Sequence, residues 1–506
     1  MFQNRVFCIS LLIVVVFVLA GVVDADLLDR GSARLHGAII AHFGWAYMLS
    51  GFFFLVFCVV LALSRYGGIK LGRDHEKPVY TYFGWFSMLF AAGMGIGLIF
   101  WGVAEPLSHY MDPPEFISPE TGEAATFAMR YSYFHWGLHP WAIYIVMSLG
   151  IAYFSFRRGM PPLISSCFYP MLGDRIYGPI GHFIDILAVF ATIFGIATSL
   201  GLGAIQINSG LEHLYGLPSS TTVTLLIILG TTMLFMISAA VGLDKGIQTL
   251  SKTNIVLAFV LLLFMLVAGP TSYMLNVFTD TIGGYIGNML EMSLAVNPFL
   301  GQEWYKNWTL FYWAWWIAWS PFVGIFVARI SRGRTIREFI SGALLVPALL
   351  TFAWFSVFGG ASLFLELEQG AGIGVMVQQD VSTGLFLVFD HFPGALILSN
   401  AAILLLIVFF VTSADSATFV LGIMTSNGSA NPPLAKKIVW GITQSSVAAI
   451  LLVSGGLAAL QRMAITAALP FNFVLLLMCY NIWKALASES RESDFRGHVG
   501  SSGSGN

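Results

Sequence analysis

The chain is dominated by apolar runs long enough to cross a bilayer, and this leaves little sequence for anything else. Twelve such runs are read, at 6–23, 44–64, 81–103, 136–156, 183–207, 221–241, 253–275, 308–328, 340–361, 395–424, 435–456 and 464–484. At about 20 residues per span they occupy roughly half of the 506 residues. Backbone polar groups in lipid must be satisfied within the chain, so runs of this kind are helices. The expected fold class is all-α integral membrane with 12 transmembrane helices. Only 10% of the residues are charged, against about 25% in a soluble domain, which excludes a soluble enzyme. A net charge of −2 gives no global field for nucleic acid.

The N-terminal run imitates a signal peptide, with Arg5, an apolar stretch to Val23 and small residues near Asp24 and Ala25. It is long enough to span and more spans follow, so it reads as a retained first helix. The stretch 282–299 is too broken to span and reads as an interfacial helix on the outer side. Residues Gly500 to Asn506 read as a Gly/Ser tail outside the fold. Cys8, Cys58, Cys167 and Cys479 have no metal-ligand or framework spacing and are expected as free thiols.

Translocated loops are poor in Lys and Arg. With the N-terminus inside, the outer segments hold only Arg30, Arg34, Arg130, Lys306 and Arg462 of the 24 basic residues. The rest, among them Lys245, Lys252, Arg491 and Arg496, fall on the inner side. Both termini are expected in the cytoplasm. The chain divides into two N-terminal accessory helices with an inner loop (1–80), a first five-helix repeat (81–275), an outer interfacial helix and loop (276–307), a second five-helix repeat (308–484) and a short cytoplasmic tail (485–506).

Two spans look interrupted, which lipid tolerates only where backbone is buried in protein or lines a cavity. The third contains Gly93-Met94-Gly95-Ile96-Gly97, where alternate glycines weaken a helix and free carbonyl oxygens; close packing through small residues is the structural alternative. The tenth contains Phe409-Phe410-Val411-Thr412-Ser413-Ala414-Asp415-Ser416. Hydroxyls in such a block can simply bond back to the preceding turn. Asp415 is either a functional intramembrane carboxylate or a cap for a neighbouring helix end. If the first two spans are accessory, the interrupted ones become first and eighth of a ten-helix core of two inverted repeats, as in LeuT-type carriers.

The richest chemical signal opens the eighth span, where five of the 14 tryptophans fall between Trp308 and Trp319. At about 100° per residue, Tyr312, Trp315, Trp316 and Trp319 share one face, and Trp313 points away. An interfacial aromatic belt accounts for Trp308 and Trp313. It does not account for Trp319, which lies about 16 Å deeper. A second set, His135-Trp136-Gly137-Leu138-His139-Pro140-Trp141-Ala142-Ile143-Tyr144, opens the fourth span, with Trp141 and Tyr144 on one face. Several ring faces together can hold a weakly hydrated quaternary ammonium group. His135 and His139 read either as proton carriers or as groups that hydrogen-bond a helix end. No phosphate-binding Gly-Lys-Ser/Thr loop occurs, so uphill transport needs a mobile cation, and carbonyls near Gly93–Gly97 with the Thr412 and Ser413 hydroxyls are oxygens a sodium ion accepts.

At these residues the sequence resembles the betaine/choline/carnitine transporter (BCCT) family of secondary carriers. The match runs from the second span to the twelfth and is most specific at Ala91–Gly97, Trp313–Pro321, Ala328–Arg334 and Thr412–Ser416. The resemblance implies a LeuT-type core of two inverted five-helix repeats preceded by two extra helices, a homotrimer in the bacterial inner membrane, and alternating access. It places one sodium ion at carbonyls of Ala91, Met94 and Phe409 and hydroxyls of Thr412 and Ser413, and a second around Thr192 and Phe322, although Ile196 stands where a further hydroxyl would help. It maps the substrate cage onto Trp136, Trp141, Tyr144 and Trp316, with Trp315 and Trp319 along the inward path. In the family, glycine at the position of Gly97 accompanies betaine and sodium, whereas an acidic residue accompanies choline and protons. The expected activity is sodium-coupled import of glycine betaine or a related trimethylammonium or dimethylsulfonium solute, with sodium as coupling ion and no cofactor. The alternatives are a proton-coupled choline transporter, in which His135, His139 or Asp415 titrates, and a non-transporting quaternary-ammonium receptor or channel. The tail beyond Lys484 holds only Arg491 and Arg496 beside Glu489, Glu492 and Asp494, so a long basic membrane-binding sensor is not expected.

Overall fold

The computed structural model describes residues 4–93, 95–241 and 244–502, with the side chains of 90–93, 240, 241, 244–251 and 491–502 outside the described set. The architecture is all-helical. Helices α1 (Arg5–Val23) and α2 (Ala25–Leu63) are separated by Asp24 alone, whose carboxylate caps α2 by accepting from Leu27 N at 2.8 Å. The cap explains why α2 starts far earlier than the expected 44. A loop leads to α3 (Tyr82–Gly93) and α4 (Ile96–Met111), followed by α5 (Gly122–Trp136) and α6 (Leu138–Ala152). The sequence reading lacked α5 as a separate helix.

After the one-turn α7 (Tyr169–Leu172) come α8 (Pro179–Tyr215), α9 (Thr221–Val241) and α10 (Asp244–Ala268). At Gly269 and Pro270 the chain turns by 110° into α11 (Thr271–Leu294), so the expected interfacial helix begins earlier than 282. The short α12 (Glu303–Asn307) leads into α13 (Thr309–Ile330) and α14 (Ile336–Gln369). Then come α15 (Ile373–Gln379), α16 (Gly384–Phe389), α17 (Ala395–Met424) and α18 (Leu434–Ser502).

Among the described residues nine helices are long and apolar enough to cross a membrane, or ten if the bent pair α10–α11 counts as one span. Leu12, Val16, Leu19 and Val23 on α1 are exposed, as lipid-facing residues should be. The α18 run is broken at Gly455 (φ −169°) and Gly456 (φ 59°), the second in the left-handed region that favours glycine.

Both expected interruptions can be inspected. The third span divides between α3 and α4, with Gly95 extended (φ −136°, ψ −173°) as the residue before α4. Met94 lies outside the described residues, as do the side chains of Ala91, Lys245, Arg491 and Arg496. The tenth span is not interrupted: α17 is continuous from Ala395 to Met424. Its hydroxyls bond back along the helix, Thr412 Oγ1 to Val408 O at 2.9 Å and Thr418 Oγ1 to Ala414 O at 2.7 Å, which keeps polar side chains satisfied without breaking the helix.

Candidate substrate and ion sites

The site is built where α13 passes the junction of α5 and α6. Proline at 321 has no N–H for the carbonyl of Ile317, and the Ser320 hydroxyl donates to that carbonyl instead at 2.8 Å. Helix α13 continues without a break from Thr309 to Ile330. The α5–α6 junction is made by Gly137, where a β-carbon would lie 2.5 Å from Tyr133 O and 2.8 Å from Phe352 Cε1. The break releases the carbonyls at the end of α5 from helix bonding. Trp316 Nε1 donates to His135 O at 2.9 Å and Thr351 Oγ1 donates to Trp136 O at 3.0 Å, so a backbone defect becomes the frame that fixes two cage elements.

Trp136, Trp141, Tyr144, Trp316 and Trp319, all buried, line one small cavity together with Pro140 and Thr351. The rings meet edge to face. Trp136 and Trp316 have centres 4.8 Å apart at 73°, Trp141 and Tyr144 5.6 Å apart at 85°, and Tyr144 and Trp316 6.2 Å apart at 80°. The cavity has a volume of about 20 Å³, enough for about one water molecule. A trimethylammonium group requires the rings to separate. Trp315 and Gly97 do not line the cavity. Trp315 lies flat behind Trp316 at 4.8 Å and 14°, and Gly97 sits beneath the edges of Trp315 and Trp136.

Trp313 corrects the belt reading. It is fully buried, stacked on His139 at 5.4 Å and 16°, because Gly51 on α2 leaves room for it: a β-carbon there would lie 2.5 Å from Trp313 Nε1. Trp308 is only partly buried and meets His109 edge to face at 4.4 Å.

The expected ion ligands fall into two places. Phe409, Thr412 and Ser413 lie on α17, with Phe409 and Thr412 buried and Ser413 partly so. Thr192 on α8 is fully buried and donates to Ala188 O at 2.8 Å. Phe322 on α13 touches Trp319, ring centres 5.5 Å apart. One turn beyond Thr192, α8 crosses the α13 backbone at Gly195, where a β-carbon would stand 3.0 Å from both Ala318 C and Trp319 Cδ1. A threonine hydroxyl that donates its single hydrogen to a carbonyl keeps its oxygen lone pairs free, and these are what a sodium ion accepts. Asp415 is buried and takes a hydrogen bond from Ser238 on α9 at 3.2 Å, so it ties α17 to α9.

The BCCT, betaine/carnitine/choline family transporter profile matches residues 5–491. The chain belongs to this family. It is 53% identical over 491 residues to the glycine betaine transporter OpuD of Bacillus subtilis, covering 97% of this chain and 95% of that one. A probable glycine betaine transporter of Desulfitobacterium hafniense is 45% identical, covering 96% of this chain and 98% of its own. An ectoine/hydroxyectoine transporter of Virgibacillus pantothenticus is 42% identical, covering 97% and 98% respectively. This BCCT chain is thus a multi-pass membrane transporter and not an enzyme.

One residue of this BCCT site escaped the sequence reading. Glu105 on α4 is completely buried, and four side chains converge on its carboxylate. Oε2 accepts from Trp136 Nε1 at 2.7 Å and from the Tyr312 hydroxyl at 2.5 Å. Oε1 lies 2.7 Å from His135 Nδ1 and 3.2 Å from His109 Nε2. His135 Nε2 continues to Thr309 Oγ1 at 2.9 Å, and His139 Nε2 pairs with Ser293 Oγ at 2.8 Å, so both histidines serve as hydrogen-bonding anchors. The 2.7 Å contact is a hydrogen-bond length, whereas ligand atoms around a tetrahedral zinc stand about 3.3 Å apart. The signal available in sequence was Glu105 and His109, four apart on one helical face. Helix α4 runs to Met111, two turns beyond the end expected for the third span at 103, and this extension carries both residues.

Proposed function

We propose that the chain is a secondary active symporter that imports glycine betaine, or a related trimethylammonium or dimethylsulfonium compatible solute, together with sodium by alternating access. The observation that carries this reading is the ring of Trp136, Trp141, Tyr144, Trp316 and Trp319 around one small cavity, in a chain 53% identical to a glycine betaine transporter. The ring faces suit a methylated cation whose hydration is weak. A zwitterion also carries an anionic end. Tyr144 and Trp319 both line this cavity, and the Tyr144 hydroxyl and the Trp319 indole N–H are buried without a hydrogen-bond partner among the described residues. They are the donors a substrate carboxylate would take.

Sodium is cargo in this reading. The carbonyls of Ala91, Met94 and Phe409 with the hydroxyls of Thr412 and Ser413 hold one ion, and the region of Thr192 and Phe322 holds a second. The proposed architecture has twelve spans with a LeuT-type core, both termini in the cytoplasm, and three copies together in the bacterial inner membrane. An inside-negative potential and a sodium gradient then act together, each charge moved being worth about 2.3 kcal/mol per 100 mV.

The test is uptake of radiolabelled glycine betaine into proteoliposomes, with choline, carnitine and dimethylsulfoniopropionate as competitors. Accumulation above equilibrium that needs sodium supports the reading. Uptake that persists in potassium under an imposed proton gradient overturns sodium coupling, and equilibration without accumulation overturns symport.

A further inference from the structure

Among the described residues no carboxylate lines the cage cavity, yet one stands directly behind it. Trp136 lines the cavity on one side and donates its indole N–H to Glu105 Oε2 on the other. Tyr312, which donates to the same oxygen, lies nearly parallel to Trp316 at 5.9 Å and 23° and edge to face with Trp136 at 5.6 Å and 66°. Through Oε1, Glu105 also holds His135, whose backbone carbonyl accepts from the Trp316 indole. One side chain thereby bears on the orientation of both Trp136 and Trp316. An indole nitrogen can only donate, and the Tyr312 hydroxyl donates as well, so Oε2 accepts two hydrogen bonds, which favours the carboxylate form of Glu105.

We infer that Glu105 is a positioning residue of the substrate cage and the source of its preference for a positive head group. Hydrogen bonds from Trp136 and Tyr312 to a carboxylate push electron density into the rings, and the attraction of a cation to a ring face is electrostatic. The same bonds set the angle between Trp136 and Trp316. Negative charge thus reaches the cavity through the rings, without a carboxylate touching the substrate. This inference rests on the cavity being the substrate site.

The experiment compares two ligands on the purified full chain in sodium chloride, read by tryptophan fluorescence. One is glycine betaine. The other is 3,3-dimethylbutanoate, which replaces the ammonium nitrogen by carbon and keeps the shape and the carboxylate. In Glu105→Gln, betaine is expected to bind about tenfold more weakly while the apparent affinity of 3,3-dimethylbutanoate is unchanged or improved. A merely structural role would weaken both alike, and equal loss or no loss overturns the inference. If Glu105→Gln does not fold, Tyr312→Phe carries the test. Removing the hydroxyl takes away one of the two hydrogen bonds that carry negative charge toward the rings, so betaine should weaken several-fold while 3,3-dimethylbutanoate is unchanged or improved. Equal loss of both ligands, or no loss, overturns it. A Trp316→Ala control separates the two claims: if that variant binds betaine like the parent, the cavity is not the site and the inference falls with it.

Discussion

Gly97 lies under the edge of Trp315 so closely that a β-carbon on it would stand 2.6 Å from Trp315 Cη2, and 2.9 Å from Cη2 of Trp136. Both are rim atoms of rigid rings packed against Trp316, so a β-carbon here displaces a whole ring and not the end of a flexible side chain. Overpacking of this kind costs about 1–3 kcal/mol. Gly97→Ala should therefore raise the betaine concentration for half-maximal uptake by about five- to tenfold, measured in proteoliposomes at saturating sodium. An unchanged value would mean that the rings yield freely. An acidic side chain at 97 meets the same obstruction from Trp315 and Trp136.

Trp316→Ala removes a ring that touches Trp136, Tyr144 and Trp315 and also removes the bond to His135 O. Loss of one desolvated cation-π partner costs about 1–2 kcal/mol, or about 5- to 30-fold in Kd. Trp316→Phe keeps a ring face and should lose less. Betaine titration of intrinsic fluorescence checks both.

Thr412→Ala removes the hydroxyl that bridges to Val408 O and Phe409 O. The expected outcome is a higher sodium concentration for half-maximal uptake, with betaine affinity at saturating sodium little altered. A shift in betaine affinity alone would place the ion elsewhere.

Arg334 is buried with its guanidinium 4.0 Å above the Trp85 ring and 4.6 Å from that of Tyr82, both on α3. Trp85 Nε1 also donates to Ser331 Oγ at 2.9 Å. The segment between α13 and α14 thus clamps the half of the broken helix that precedes Gly95. A lysine cannot stack as a plane. Arg334→Lys should change the maximal rate of uptake two- to tenfold while leaving the betaine Kd in place, and a change confined to Kd would contradict the clamp.

The loop before α3 is tied by two ion pairs. Arg157 hydrogen-bonds Asp74 at 2.8 Å and holds its carboxyl below the ordinary range, and Arg332 does the same to Glu76. A carboxyl lowered in the folded state contributes above its unfolded pKa of about 4, and the contribution is lost only as pH falls through the lower folded value. Protection of 69–78 from hydrogen exchange, corrected for intrinsic rates, should stay level from pH 7 to about pH 5 and fall only below about pH 4. A decline centred near pH 6 would point to another group.

The aromatic face of α13 was legible because helical spacing alone puts Tyr312, Trp315, Trp316 and Trp319 together. The break at Gly95 was legible because alternate glycines weaken any helix. The polar block of α17 misled, since Thr412 and Thr418 satisfy themselves along an unbroken helix, and local sequence does not distinguish back-bonding from unwinding. Trp313 misled because its burial depends on Gly51, 262 positions away in the chain, which no spacing rule connects to it.

By itself the sequence determined that this chain is a helical membrane protein with an aromatic face deep in one helix, because hydrophobic length and angular periodicity are local properties. The tertiary structure alone decided that Trp136, Trp141 and Tyr144 close on Trp316 and Trp319, that Gly97 must lack a side chain, and that Glu105 stands behind the rings. Those are contacts between helices, and they follow from how whole surfaces pack and from which buried carbonyl or carboxylate is left to accept a given N–H, which no single stretch of residues specifies.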